Sequence, residues 1–93
     1  MAKLHAHMII SGRVQGVGFR FTTLQLADKY GITGWVRNLP DSTVEIEAEG
    51  KAEQLYQFID QIKAGPSRVA KVRNVELSIS DQLINYRTFN LKH

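Results

Sequence analysis

The sequence predicts an α+β fold in which an antiparallel sheet carries two helices on one face. Three observations predict it. Short stretches alternate apolar and polar residues as half-buried strands do, most cleanly Thr43 to Glu49, where Val44, Ile46 and Ala48 oppose Glu45, Glu47 and Glu49. Two longer stretches space their apolar residues for one side of a helix and end at glycine. Their order along the chain is strand, helix, strand, strand, helix, strand, the split βαβ pattern of the ferredoxin-like sandwich.

The first strand covers residues 3–12, with Leu4, Ala6, Met8 and Ile10 toward a core and His5, His7, Ile9 and Ser11 on the open face. Residues 19–30 form the first helix, whose apolar side is Leu24, Ala27 and Tyr30 and whose left-handed terminator is Gly31. Ile32 to Arg37 is a second strand, rich in β-branched and aromatic residues. Asn38 to Ser42 is a turn, because Pro40 ends the strand pattern and pushes Leu39 to an extended conformation. After the third strand, a helix from about Lys51 to Ala64 presents Leu55, Phe58, Ile59 and Ile62 at i, i+3, i+4, i+7, and Gly65-Pro66 stops it. A fourth strand runs from Val69 to Ile79 with Val75, Leu77 and Ile79 inward. Asp81 to Asn85 is polar loop, and Arg87 to Leu91 is a short closing strand. Right-handed crossovers place the first and third strands side by side in the middle of the sheet.

At 93 residues the chain is one domain, residues 1–93. It has no cysteine, which excludes a disulfide framework, a thiol nucleophile and a copper-carrier site. No stretch has the length of a membrane span and the start lacks the apolar run of a signal peptide, so a cytoplasmic protein with no membrane partner is expected. The net charge of +3 suits a small anionic ligand without demanding nucleic acid. An RNA reader on this fold would carry aromatics on its third strand; here that strand is acidic. A monomer without cofactor is the expectation.

The chemistry-bearing stretch is Ser11-Gly12-Arg13-Val14-Gln15-Gly16-Val17-Gly18-Phe19-Arg20, between the first strand and the first helix. Its glycines let the backbone turn and bring N–H groups together with the unpaired donors of the helix start, a cradle for an anion. Arg20 stands where the helix dipole disfavours a cation, a conflict that an anion held by its planar fork would remove. The stretch lacks the Lys-Ser or Lys-Thr pair of a nucleotide phosphate loop. Phe21 stands where the dinucleotide fingerprint needs glycine, and Asp41 alone does not restore that fingerprint. The residues therefore admit two readings: a phosphate cradle without a nucleotide, or a glycine-rich turn with a solvated arginine. Asn38 can hold a water, since a neutral amide both donates and accepts, but by itself it reads as a turn residue. Arg13 and Arg37 read as solvated charges. His5 and His7 face Glu45, Glu47 and Glu49 across the open face as a His–Glu patch or a loose metal site rather than a catalytic one. His93 reads as a disordered terminal residue. There is no Ser-His-Asp order, no HExxH motif and no carboxylate pair beside the loop.

These residues resemble the acylphosphatases. Ile10-Ser11-Gly12-Arg13-Val14-Gln15-Gly16-Val17-Gly18-Phe19-Arg20 is similar to the first signature of that family. Gly34-Trp35-Val36-Arg37-Asn38, followed by Val44 and Gly50, is similar to the second, except that Ser42 stands where the family has glycine. The resemblance implies a ferredoxin-like fold and metal-independent hydrolysis of the carboxyl–phosphate bond of a small acyl phosphate. It implies that Arg20 binds the phosphoryl group with backbone N–H groups of Gln15, Gly16, Val17, Gly18, Phe19 and Arg20, and that Asn38 orients the attacking water. Ser42 is expected to strain its turn if that position needs positive φ. Acetyl phosphate, carbamoyl phosphate and 1,3-bisphosphoglycerate share the group to be read, and nothing in the sequence singles out a contact to the acyl tail. An accessory module of a larger maturation enzyme is the other role the resemblance admits; the chain length argues for a free-standing enzyme.

Overall fold

The computed structural model describes residues 2–93. The elements are β1 (Lys3–Arg13), α1 (Phe19–Tyr30), β2 (Thr33–Asn38), β3 (Val44–Lys51), α2 (Ala52–Ala64), β4 (Lys71–Ser80) and β5 (Phe89–Lys92). The strands form one sheet in the order β4-β1-β3-β2-β5, with β1 and β3 in the middle as the crossovers require. Both helices pack on the face that carries Ala6, Met8 and Ile10 of β1, Val36 of β2 and Val44, Ile46 and Ala48 of β3, all fully buried.

The α2 stripe is buried as its spacing predicts, at Leu55, Phe58, Ile59 and Ile62. Each such side chain contributes about 1.5–3 kcal/mol when fully buried, so Phe58→Ala would remove a large share of a small domain's stability. In α1 the buried positions are Phe19, Thr23 and Ala27, and Leu26 and Tyr30 pack against the core. The expected face is thus turned by about one residue, and Leu24 is only half-buried. Thr23 is tolerated inside because its hydroxyl donates to Phe19 O at 2.7 Å. Gly31, at φ 67°, ends the helix in a left-handed cap, and the next N–H, of Ile32, reaches back to Ala27 O at 2.8 Å.

Two expectations need correction. The sheet is mixed, not antiparallel throughout: β5 pairs in parallel with β2, Gly34 opposite Phe89 and Val36 opposite Leu91. The chain leaves β4 at one edge, crosses the sheet through residues 81–88 and enters the opposite edge in the direction of β2. Glu49, only 3 % exposed, holds that crossing by accepting the N–H groups of Ile84, Asn85 and Tyr86 at 2.6, 2.9 and 3.3 Å. The second correction concerns β4. Leu77 and Ile79 lie opposite Met8 and Ala6 on the helix side, yet each is 36 % exposed, and Val75 is half-buried. An edge strand has a neighbour on one side only, so residues on the correct face still meet solvent.

Candidate active site

Just before the loop to α1, β1 slips in register against β4 at a bulge between Ser11 and Gly12. A Cβ on Gly12 would lie 2.1 Å from Lys71 O, so only glycine lets the strands approach here. Gly16 and Gly18 are needed for a different reason. Space around them is open, but their φ values of 73° and 76° belong to the left-handed region. Gly18 is the N-cap of α1; no side chain caps that end and no acidic residue occupies its first turn. The first-turn N–H groups therefore keep their hydrogen-bonding capacity and the positive end of the dipole is unopposed.

A cleft of about 280 Å³ opens at this helix end, lined by Gly16, Gly18, Phe19, Arg20 and Asn38 among others. Of the residues singled out from the sequence, these five converge. Gln15 and Val17 do not line the cleft; they hold the loop in place. The side-chain amide of Gln15 donates to Leu39 O and Thr43 O, both at 2.8 Å, tying the loop to the β2–β3 turn. Val17 O accepts from Ser67 Oγ at 3.1 Å, which ties it to the segment after α2. No local pattern in the sequence marks either contact, since both span more than twenty residues.

Two features of the cleft are chemically unfinished. Among the described residues no ion pair or side-chain hydrogen bond engages Arg20. Asn38, at the end of β2, has a buried Oδ1 without a hydrogen-bond partner, and a buried acceptor left unmade costs about 1–3 kcal/mol. The turn that follows is braced by Asp41, which accepts from the Thr43 N–H at 3.1 Å and from the Thr43 hydroxyl. Those two donors hold the Asp41 carboxyl below its ordinary value. Ser42 sits at φ 75°, so the position that departs from the family glycine does adopt the left-handed conformation.

The open sheet face carries a ladder of paired side chains, and among the described residues no group of three or more His, Cys, Asp or Glu is placed to hold a metal ion. His5 Nε2 pairs with Glu47 and His7 Nε2 with Glu45, each at 2.7 Å. Arg37 is partly exposed but not free: its guanidinium binds Glu45 at 2.7 Å and lies over Trp35, 5.2 Å from the ring centre. Burial pushes the Glu45 carboxyl up, but hydrogen bonds from His7 and Arg37 outweigh it and leave the group below its ordinary value. Trp35 Nε1 donates to the Tyr86 hydroxyl at 3.2 Å, and burial, aided by Glu47, raises the pKa of that phenol. His93, expected to be disordered, lines the cleft. A larger concavity, about 560 Å³, lies at the far end of the sheet between Lys3, Glu49 and Arg87. Its buried carboxylate, Glu49, already accepts three backbone N–H groups. Gln54 there, like Asn38 in the smaller cleft, has a buried side-chain oxygen without a partner. The cleft at Arg20 differs in joining such an acceptor to an uncapped helix start and a guanidinium.

The acylphosphatase family model matches residues 6–91. An acylphosphatase from Bacillus licheniformis is 46% identical over 90 residues, covering 97% of this chain and 99% of the relative. The crystal structure of acylphosphatase from Bacillus subtilis superposes with a TM-score of 0.93 at 39% identity, over 97% of this chain and 99% of that one. An acylphosphatase structure from Coxiella burnetii superposes at 0.91 with 30% identity, over 98% and 94%. The β-bulge, the left-handed glycines at the start of α1 and the strand ending in Asn38 are thus carried on the fold of these enzymes, and the chain belongs to the acylphosphatase family.

Proposed function

We propose that the chain hydrolyses the carboxyl–phosphate bond of acyl phosphates, giving a carboxylate and inorganic phosphate. One observation carries the reading: the buried, unpartnered Oδ1 of Asn38 belongs to the same cleft as the unpaired guanidinium of Arg20 and the uncapped start of α1. The acceptor suits a water, and the donors suit a phosphoryl group.

In this reading the phosphoryl oxygens rest on Arg20 and the loop N–H groups, which stabilise charge as it develops. A water donates one hydrogen to Asn38 Oδ1 and presents a lone pair to phosphorus, opposite the departing acyl oxygen. The new O–P bond forms as the P–O bond to the acyl group breaks, and the carboxylate leaves with the electron pair. The water's other proton passes to a non-bridging phosphoryl oxygen, because no Asp or Glu side chain lines the cleft. His93 is the other group there that can accept a proton. A general base is worth about 100- to 10,000-fold, so a loss of that size in His93→Ala would move the proton to the imidazole.

The donor set supports a reaction without metal, since arginine and backbone N–H groups meet the phosphoryl charge directly. The test is hydrolysis of benzoyl phosphate, followed by ultraviolet absorbance with and without a chelator, beside p-nitrophenyl phosphate. Turnover of benzoyl phosphate alone, indifferent to the chelator, is expected. Equal turnover of the monoester, or activity that a chelator abolishes and a divalent ion restores, overturns the reading.

A further inference from the structure

Among the exposed large hydrophobic residues, Phe21 on α1 and Leu91 on β5 stand apart by position. They are 59 % and 40 % exposed, they come from different elements, and both line the cleft that holds Arg20 and Asn38. Tyr56, Val69, Leu77, Ile79 and Ile84 are also exposed but do not line it. Single exposed apolar side chains are ordinary, whereas two that converge on a binding cleft mark a surface that a ligand covers.

The placement follows from the chain. Phe21 directly follows Arg20 in the first turn of α1, so a group held by that turn has Phe21 at its border. Leu91 pairs with the buried Val36 across the β2–β5 ladder, two residues before Asn38 leaves β2. The parallel fifth strand therefore brings an apolar side chain to the rim of the cradle. At about 30 Å³ per water-sized atom, the cleft's 280 Å³ exceeds what a four-atom phosphoryl group fills. The rest of the lining decides what fits there. Arg20 is the one Lys or Arg on it, and it is matched to the phosphoryl group, so a second anion on the substrate tail would meet no fixed counter-charge.

We infer that Phe21 and Leu91 form an acyl-tail subsite that selects acyl phosphates with an apolar or aromatic acyl group over those with a minimal or charged one. The inference rests on the hydrolytic reading above and adds the substrate class. It also assigns the tail a contact that the sequence alone does not single out.

The experiment measures kcat/KM for benzoyl phosphate, acetyl phosphate and 1,3-bisphosphoglycerate in the wild type, Phe21→Ala, Phe21→Leu and Leu91→Ala, with Tyr56→Ala as control. The wild type is expected to favour benzoyl phosphate over the doubly anionic substrate. Phe21→Ala and Leu91→Ala should each lower the benzoyl-to-acetyl ratio by about 3- to 10-fold, less than a methylene in a closed pocket gives because the lip stays wet. Phe21→Leu should recover part of that ratio, and Tyr56→Ala should leave it alone. A general disturbance of the loop would slow both substrates in parallel and keep the ratio. A ratio unmoved by both Phe21→Ala and Leu91→Ala overturns the subsite while leaving acyl phosphate hydrolysis intact. A wild type inactive on all three substrates overturns the hydrolytic reading, and the subsite with it.

Discussion

The side-chain amide of Gln15 donates to the carbonyl of Leu39 at 2.8 Å, across 24 positions of sequence. The same nitrogen reaches Thr43 O at 2.8 Å, and Leu39 N also donates to Thr43 O at 2.9 Å. One amide thus fastens the glycine loop to the turn that follows Asn38, and it fixes the spacing between the two halves of the cleft. Gln15→Glu keeps the shape and loses the donor, setting carboxylate oxygens against two carbonyls. It should cost about 1–3 kcal/mol in denaturant unfolding and lower kcat more than it raises KM, since the water and the phosphoryl group are then misaligned. An unchanged unfolding midpoint would show that other contacts hold the turn.

Arg20 and Asn38 should both exchange stability for function, in different ways. Arg20→Gln removes a cation from the positive end of α1 and should stabilise the free protein by about 0.3–1 kcal/mol, while losing phosphate binding and turnover together. Arg20→Lys should not restore either, because an ammonium cannot make the two-pronged contact.

Asn38→Ala removes a buried acceptor that has no partner, so its melting temperature should hold or rise. Turnover should fall about 100- to 1000-fold, and the affinity for inorganic phosphate, by calorimetry, should be kept. A lower melting temperature with near-normal turnover would make Asn38 a turn residue only.

Ser42 occupies φ 75° where a side chain is strained. Ser42→Gly should raise stability by about 0.5–1 kcal/mol. Thermal unfolding reads it directly, and a midpoint that drops would mean the serine is at ease in that conformation.

The pH dependence of stability has a defined sign at Glu45. Its carboxyl is held below its ordinary value in the fold, since bonds from His7 and Arg37 outweigh the opposing effect of burial. A depressed folded pKa stabilises the protein in full above the unfolded value, about 4.3, and that contribution is lost as pH falls through the lower folded value. Between those limits the wild type should lose stability with acid more steeply than Glu45→Gln. Parallel acid profiles for the two proteins would contradict the ladder.

Local chemistry was legible in the sequence and long-range pairing was not. The helix stop at Gly31 and the α2 stripe are written in neighbouring residues, and the structure repeats them. In β3 the alternation separates the two faces, but Glu47 and Glu49 are buried along with the apolar side. Arg20 and Asn38 were legible as a pair only through the family resemblance, because 18 positions separate them and nothing in periodicity joins them. The clamp by Gln15, the anchoring of Val17 by Ser67 and the parallel arrival of β5 depend on which strand lies beside which. That information exists only once the sheet is assembled. The exposure of Leu77 and Ile79 has the same origin: alternation names a face but not an edge.

Glu49 gives the structure a second meaning. At one end of the sheet, three successive backbone N–H groups close around a carboxylate that the chain itself supplies. At the other end, in the proposed reading, the donors at the start of α1 and the guanidinium of Arg20 take their anion from solution. On that reading one cradle is completed by folding and the other by mass action. A ligand that binds only the folded chain adds stability with concentration, about 2.7 kcal/mol at one hundred times its Kd. Inorganic phosphate should therefore raise the melting temperature of the wild type, and Arg20→Gln should be indifferent to it, so a thermal titration measures the occupancy of the site without any turnover.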